Sequence, residues 1–266
     1  MNMLTVIPRL GCAALILMGC LTSMTSCKSN SPGPEAENPG GSSQGKSGYL
    51  LGKVTDPQGN PLPRATVYTE NDVFKGRGVE TSSSSDGTYK IQLVKDLGQW
   101  NVRGYILKQY NGKVYKIQLD PENPDSFTED EKPVRNFQWK LTGHIPDLSL
   151  DLYYGGTMEL FRDPNVINLN DTENIEFTLK PVGTLIDGST GKTLKVQAKK
   201  RAYAIKDIPL GRYSVTAIYK PTGEQLQVCD AWGDDYVYKP SVTMDFLGTE
   251  SAVRSNSMGI GFTNRK

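Results

Sequence analysis

The chain has 266 residues, and its 30 Lys and Arg nearly balance its 29 Asp and Glu. This balance excludes the broadly basic surface with which proteins neutralise nucleic-acid phosphates, so we expect no nucleic-acid partner. The single His excludes a zinc centre that needs two His ligands.

The first 26 residues have the layout of a bacterial export signal. A short segment with one positive charge, Arg9, precedes the apolar run Leu10–Gly19, which is too short to predict a membrane span. Small residues then lead to Cys27, a pattern that resembles the lipobox of bacterial lipoproteins. We therefore predict a signal peptide over 1–26 and lipidation of Cys27, with Cys20 as the alternative anchor.

The next segment, 27–47, is predicted to be a flexible tether. It is dominated by Pro, Gly, Ser and Asn and has no large apolar residue, so it cannot bury enough surface to offset its ordering entropy. A tether after a lipidated Cys indicates a protein of the bacterial cell envelope, held at the membrane by its lipid anchor. We expect an outer-membrane lipoprotein, periplasmic or surface-facing, and the Thr-Ser-Cys ending resembles lipoproteins of Bacteroidetes.

From residue 48 onward the apolar residues alternate, which is the pattern of β-strands. Trp100, Val102 and Ile106 share one face of a predicted strand, and a second alternating run begins at Tyr115. The Asn-Gly pair at 111–112 lies between them and predicts a hairpin, because both residues tolerate the positive φ angles of a type I′ turn. No part of the chain after the tether has a helical stripe, so we predict an all-β protein.

Two pairs of segments resemble each other and indicate an internal repeat. Gly52–Gly59 is echoed by Gly183–Gly191, where a short strand enters an Asp/Gly turn. Asp86–Leu93 is echoed by Leu210–Ala217, where a Gly-x-Tyr step enters a strand. The echoes predict two related domains of the size that β-sandwiches take.

The first copy also resembles a known family. Gly52–Asp56, Gly59–Val67 and Ser85–Tyr89 are similar to the carboxypeptidase regulatory-like domain, over about Tyr49–Leu141. The resemblance implies a transthyretin-like, prealbumin-type β-sandwich. It implies no peptidase activity, because in that family this module is separate from any zinc catalytic domain.

The fold class that follows is all-β, with two tandem immunoglobulin-like or prealbumin-like β-sandwich domains after the signal peptide and linker. The first domain is predicted over 48–145 and the second over 146–266. Within the second, the region 146–181 is predicted to hold strands that complete one sandwich or bridge both.

No residue pattern predicts catalysis. His144 stands alone in a predicted loop, and no Gly-x-Ser-x-Gly elbow supports a Ser-His-Asp site. With Cys12 and Cys20 in the signal peptide and Cys27 lipidated, Cys229 is left unpaired, and we expect it to be a buried, inert thiol. The acidic segment 120–131 does not have the EF-hand spacing. We therefore predict a protein that is not an enzyme, without metal or cofactor; a hydrolase using paired carboxylates is a remote alternative.

Two aromatic clusters are candidate ligand-binding residues. Trp232, Tyr236 and Tyr238 lie among carboxylates in a predicted loop and strand edge, and Tyr153 and Tyr154 form the second cluster. Exposed rings beside hydrogen-bonding groups suit a sugar or a protein partner. The alternative is that alternate rings point into the sandwich core.

The function that we expect is that of a structural or accessory protein-interaction module in the cell envelope, with an envelope protein as partner. The alternative is a surface module that binds a glycan as part of a polysaccharide-utilisation system. A fold of this class supports many functions, so the choice between them depends on the site.

Overall fold

The structure, a computed structural model, describes residues 44–74, 78–146, 151–166, 169 and 171–265. The predicted signal peptide, both candidate lipidation sites and most of the tether lie outside the described residues. Within the described part of the chain, no helix has the length and apolar character needed to cross a bilayer.

Seven strands between residues 49 and 139 form the first sheet. They are β1 (Tyr49–Thr55), β2 (Thr66–Asn71), β3 (Glu80–Ser82), β4 (Thr88–Gln92), β5 (Trp100–Tyr110), β6 (Lys113–Pro121) and β7 (Phe137–Trp139). Their order is β3-β2-β5-β6-β7-β1-β4, and all neighbours are antiparallel except the parallel pair β1 and β7.

Strand β6 joins two layers of this sheet into a sandwich. Its first part pairs with β5 up to Gln118, and its last part, from Leu119, pairs with β7. Alternate side chains of both layers are buried, as the sequence pattern predicts, and burial of this apolar surface drives the layers together. The buried residues include Leu50, Val54, Val67, Ile91, Trp100, Val102, Ile106, Ile117 and Phe137.

The predicted hairpin at residues 111–112 is confirmed. Asn111 and Gly112 have φ angles of 46° and 79°, and Tyr110 pairs with Lys113 across the turn between β5 and β6. This two-residue turn joins β5 and β6, the two longest strands of the first domain, into one hairpin.

Eight strands between residues 156 and 263 form the second sheet. They are β8 (Gly156–Arg162), β9 (Ile175–Pro181), β10 (Leu194–Val196), β11 (Ala204–Ile208), β12 (Arg212–Tyr219), β13 (Glu224–Asp230), β14 (Val242–Asp245) and β15 (Ser257–Thr263). The order is β10-β9-β12-β13-β15-β8-β11, with β14 paired beside β13 on β12. Two three-residue 3₁₀-helices, Glu129–Glu131 and Thr172–Asn174, are the helical elements among the described residues.

The two sheets have the same topology. Strand by strand, β8 to β13 take the places of β1 to β6, β15 takes the place of β7, and β14 is an addition. The parallel pair recurs as β15 and β8, and the strand that changes layers recurs as β13, which pairs with β12 and then with β15. The predicted fold class, all-β with two β-sandwich domains, is confirmed.

The residue pairing of the predicted repeat is wrong by one strand. Gly183–Gly191 follows β9, the counterpart of β2, whereas Gly52–Gly59 belongs to β1 and the turn after it. Leu210–Ala217 enters β12, the counterpart of β5, whereas Asp86–Leu93 enters β4. The echoes reflect turn chemistry, which recurs wherever a tight turn leads into a strand.

The region 146–181 contributes to the second domain. It supplies β8 and β9, and Ile175, Phe177 and Leu179 are fully buried on the predicted face. Residues 147–150 of the first alternating run in this region lie outside the described residues.

The tip of the β5–β6 hairpin is hydrogen-bonded to the second sheet. The Tyr110 hydroxyl donates to the Thr184 carbonyl at 2.7 Å and accepts from the Arg212 N–H at 3.1 Å. The buried Tyr115 hydroxyl donates to the Phe246 carbonyl at 2.8 Å. Consistent with these contacts, all described residues fall within one compact unit, Ser42–Lys266.

The connecting segment between the domains is held by Asp207. This residue has a φ of 67°, and its carboxylate accepts hydrogen bonds from the N–H groups of Gly143 at 2.8 Å and Gly155 at 3.3 Å. A second contact links the domains close by, where the Tyr154 hydroxyl donates to the Asp120 carboxylate at 2.6 Å.

Candidate functional site

The aromatic segment 230–240 lies on the outer face of β15. The side chains of Met258, Ile260 and Phe262 are buried in the sandwich core. Because side chains alternate along a strand, Gly259 and Gly261 occupy the outer positions. The two glycines leave space above the strand, and the rings of the segment fill it.

Trp232 occupies the space above Gly259. A Cβ on this glycine would come within 2.6 Å of the indole ring. The ring also meets Phe161 edge-on at 6.0 Å and stacks under the Arg254 guanidinium at 4.5 Å. The indole N–H is buried and has no hydrogen-bond partner among the described residues. Trp232 is thus a half-buried, packed ring and not a flat platform.

Tyr236 and Tyr238 occupy the space above Gly261. Their rings are perpendicular at 5.5 Å, and the Tyr238 hydroxyl donates to the Tyr236 oxygen at 3.3 Å. Tyr236 is half exposed. Neither ring points into the sandwich core, so any ligand would contact both rings on the outer face of the sheet.

Cys229 lies beneath the two tyrosines and is fully buried and unpaired, as predicted. Burial raises the pKa of its thiol, while hydrogen bonds from Tyr238 and Tyr236 act in the opposite direction. Burial also raises the pKa of the Tyr238 hydroxyl. A fully buried thiol beneath two phenols packs against them and is shielded from reactants in solution.

A polar groove opens beside Tyr238 at the end of the same face. It has a volume of about 470 Å³ and is lined by Asp163, Gln227, Tyr238, Thr263 and Arg265. Gln227 is paired with Thr263 across β13 and β15, and Asp163 directly follows β8 on the other side of β15. Three neighbouring strands therefore bring these side chains together.

Asp163 is the fixed charge of this groove. It is only 9% exposed, and its carboxylate accepts the Asn165 N–H at 2.9 Å. This hydrogen bond, with further ones from Thr263 and the Asn165 amide and the charge of Arg265, lowers the pKa of Asp163. The carboxylate is therefore ionised near neutral pH.

The two residues of the second aromatic cluster, Tyr153 and Tyr154, make different contacts. Tyr154 is 4% exposed and is used in the contact with Asp120, so its ring is not available at the surface. Tyr153 meets His144 edge-on at 5.2 Å, beside Asp151. Among the described residues, no contact joins this cluster to the Trp232 segment.

His144 is part of a surface cluster with Asp151 and Lys206. Its Nε2 lies 3.5 Å from Asp151, which also pairs with Lys206 at 2.8 Å, and both partners of the His–Asp pair are more than half exposed. The hydrogen bond from Lys206 is the main cause that lowers the pKa of Asp151. No His, Cys, Asp and Glu cluster within the described residues has the arrangement of a metal site.

A second, apolar groove lies near the start of β1, where the predicted tether joins the first domain. It has a volume of about 450 Å³ and is lined by Phe74, Gly78, Val79, Val94, Leu97 and Trp100. Val94 is 52% exposed and Phe74 is 49% exposed. The N–H of Leu93, next to Val94, donates to the carbonyl of Gly48, which places the groove at this end.

Sequence reasoning missed both grooves. The glycines of β15 alternate in the run SMGIGFT, and that alternation was the available indication of a covered outer face. The residues that meet in the polar groove are up to 102 positions apart, from Asp163 to Arg265, and no local pattern connects them.

Comparison with known proteins finds distant structural similarity. No protein-family model matches the chain, and no curated protein matches it. The resemblance to the carboxypeptidase regulatory-like domain therefore stays a prediction.

Among solved structures, the chain is similar to the Bacillus anthracis TIE protein, with 18% identity, a TM-score of 0.31, and coverage of 82% of this chain and 34% of that one. It spans about a third of the length of that protein. It is also similar to a C-terminal fragment of the pilus adhesin SpaC from Lactobacillus rhamnosus GG, with 11% identity, a TM-score of 0.25, and coverage of 80% of this chain and 95% of that one. For the major pilin from Streptococcus pyogenes, the identity is 12% and the TM-score is 0.23, with coverage of 81% of this chain and 96% of that one. At such TM-scores the similarities carry no information about ligand or partner.

Proposed function

We propose that this chain is a non-enzymatic, lipid-anchored protein of the bacterial cell envelope that acts as a structural or accessory protein-interaction module. The observation that carries this proposal is the apolar groove of the first domain. The partner that it fits is a protein segment that presents one or two apolar side chains.

The groove exposes a contiguous set of large apolar side chains. Phe74, Val79 and Val94 are 49%, 42% and 52% exposed, and they surround the buried ring of Trp100. Scattered exposed apolar residues are common on proteins, but a contiguous patch of them favours a contact with a partner. Water excluded from such a groove by an apolar side chain contributes favourably to association.

The shape and chemistry of the groove favour a protein over a membrane or a sugar. A concave apolar surface grips a protruding side chain, whereas docking on a bilayer needs apolar residues that protrude. A sugar needs several hydrogen-bonding groups, and the side chains that line this groove are apolar apart from the indole of Trp100.

The interdomain hydrogen bonds support a structural role. The hydroxyls of Tyr110 and Tyr115 and the carboxylate of Asp207 fix the two domains and their connection. A body held in this way presents its surfaces at a fixed spacing, which is what an accessory or scaffolding component needs.

The titratable groups do not support the alternative of a glycosidase. A glycosidase needs one carboxyl group with a raised pKa as its general acid. Every described carboxyl group with a resolved shift has a lowered pKa, and hydrogen bonds within the fold contribute in each case. These carboxylates are used in structure.

The test is cross-linking from inside the groove in the native bacterium. A photo-crosslinking amino acid at Val94 should yield an adduct with one defined protein, whereas the same amino acid at Tyr203, which is 77% exposed on the second domain, should not. The captured protein is then purified and its affinity for residues 42–266 is measured by calorimetry.

In that measurement, Val94→Asp should weaken binding at least about tenfold, because a carboxylate in the apolar contact loses its hydration. The matched control is Val253→Asp, which makes the same change at a site 93% exposed. The proposal fails if both positions cross-link alike, if only lipid is captured, or if Val94→Asp binds as tightly as Val253→Asp.

A further inference from the structure

The polar groove beside Tyr238 contains side chains whose hydrogen-bonding groups are not used by the fold. Within the described chain, neither the Gln227 amide nor the Arg265 guanidinium forms a side-chain hydrogen bond or an ion pair. Arg265 acts on Asp163 only through its charge. An amide offers two donors and an acceptor, and a guanidinium offers five donors, and because both side chains reach the solvent, a ligand can replace the water bound to them.

The groove also presents a fixed acceptor. The Asp163 carboxylate lines the groove and is held in place by hydrogen bonds from Asn165 and Thr263, which use part of its accepting capacity. An oriented acceptor beside donors that the fold does not use is an arrangement that can bind a ligand with hydroxyl groups.

The charges of the groove cancel. Asp163 and Arg265 contribute one charge of each sign, and Gln227, Thr263 and Tyr238 are neutral. A ligand of either charge is attracted by one of these two groups and repelled by the other, so the groove favours neither an anion nor a cation. A ligand with many hydroxyl groups and no charge can instead accept from Arg265 and Gln227 while donating to Asp163.

An aromatic wall completes the site. The ring of Tyr238 lines the groove, over the space left by Gly261. It packs perpendicular to the ring of Tyr236, with the two ring centroids 5.5 Å apart. The apolar face of a sugar ring packs on an aromatic ring, and the rings of tyrosines carry a polar group at the rim of such a contact.

We infer that this groove on the outer face of β13, β15 and β8 binds a neutral sugar unit of a glycan, with Tyr238 as the stacking ring and Asp163, Gln227 and Arg265 as the hydrogen-bonding groups. This site lies in the second domain and is independent of the apolar groove, so either can exist without the other.

The test uses residues 42–266 with a panel of soluble neutral polysaccharides (glucans, mannans, galactans, xylans and arabinans) and the anionic polygalacturonate. Affinity gel electrophoresis identifies a binder, and calorimetry gives its affinity. We expect at least one neutral polysaccharide to bind and polygalacturonate not to bind.

Two variants with matched controls place the site. Gln227→Ala and Arg265→Ala should each weaken the binding about tenfold, the size expected when a hydrogen bond to a ligand is removed. Gln92→Ala and Lys200→Ala remove an exposed amide and an exposed cation at other surfaces and should have no effect. Thermal unfolding of every variant checks that the fold is intact.

Three results would overturn the inference: no binding to any neutral polysaccharide, binding to polygalacturonate alone, or binding that Gln227→Ala and Arg265→Ala leave unchanged. A positive result here leaves the cross-linking experiment at Val94 unaffected, because the two experiments probe different domains.

Discussion

Single residues on the outer face of β15 decide how the aromatic segment packs. A Cβ at Gly261 would lie 2.5 Å from the Cys229 sulfur, closer than any ordinary contact, and 3.3 and 3.4 Å from the hydroxyl oxygens of Tyr236 and Tyr238. The glycine is needed for space and not for its backbone conformation, because its φ is not among the positive ones.

Gly261→Ala should therefore lower the free energy of unfolding by about 1–3 kcal/mol, the usual cost of overpacking. In the Cys229→Ala background the same change should cost much less, because the overlapping sulfur is gone. Urea unfolding of the two single variants and the double variant gives the coupling energy. An equal cost in both backgrounds would show that the thiol is not the obstacle.

Residue patterns predicted part of this surface. The burial of Cys229 followed from its place at the end of an apolar strand, and the prediction is confirmed. The placement of Tyr236 and Tyr238 could not be predicted, because a ring in a turn-rich loop can cover either face of the strand that follows. Only the partners of the loop, here Gly259 and Gly261, decide it.

At the scale of elements, alternation and turn chemistry were sufficient to predict strands. The β5–β6 hairpin was predictable because its turn type depends on two adjacent residues, Asn111 and Gly112. The correspondence between repeats was not, because the echoes matched turns and not positions in the sheet. The turn between β3 and β4 shows how such local chemistry stabilises an element.

Asp86 organises that turn. Its carboxylate accepts hydrogen bonds from the Ser84 hydroxyl at 2.6 Å and from the Thr88 N–H and hydroxyl at 3.0 and 2.7 Å, which lowers its pKa to about 2. Because the folded pKa lies below the ordinary value of 3.8, the ionised carboxylate stabilises the folded state. That contribution is fully present above about pH 4 and is lost as the pH falls toward 2.

Asp86→Asn should thus be less stable than the natural protein at pH 6, and most of the difference should be gone at pH 2. Chemical unfolding at pH 6, 4 and 2 measures it. Asp235→Asn, a change of the same charge at an exposed carboxylate without a side-chain hydrogen bond among the described residues, is the control. A difference that does not depend on pH would contradict the assigned role of the carboxylate.

At the scale of the whole molecule, the sequence predicted two sandwich domains but not how they meet. The contacts of Tyr110 join residues 74 and 102 positions apart, with Thr184 and Arg212 as partners. A tyrosine at a hairpin tip has the sequence appearance of any exposed turn residue. Its function in the junction depends on the second domain being folded and in place, and no local pattern contains that information.

The junction should make the two domains unfold together. Calorimetric unfolding of residues 42–266 should show one transition, because the hydroxyls of Tyr110 and Tyr115 tie the β5–β6 hairpin to the second sheet. In the double variant Tyr110→Phe/Tyr115→Phe, the carbonyls of Thr184 and Phe246 and the N–H of Arg212 lose these partners. Each such loss costs about 1–3 kcal/mol where the group stays buried.

The coupling between the domains should then weaken and the calorimetric transition should broaden, while the Tyr154–Asp120, Asn111–Asp245 and Asn256–Lys116 hydrogen bonds remain. Tyr105→Phe is the matched control, because it removes a hydroxyl from the same strand without touching the second domain. Two transitions already present in the natural protein would show that the domains fold independently. In that case the surfaces of the two domains would not be held at a fixed spacing, and the proposed structural role, which depends on that spacing, would be contradicted.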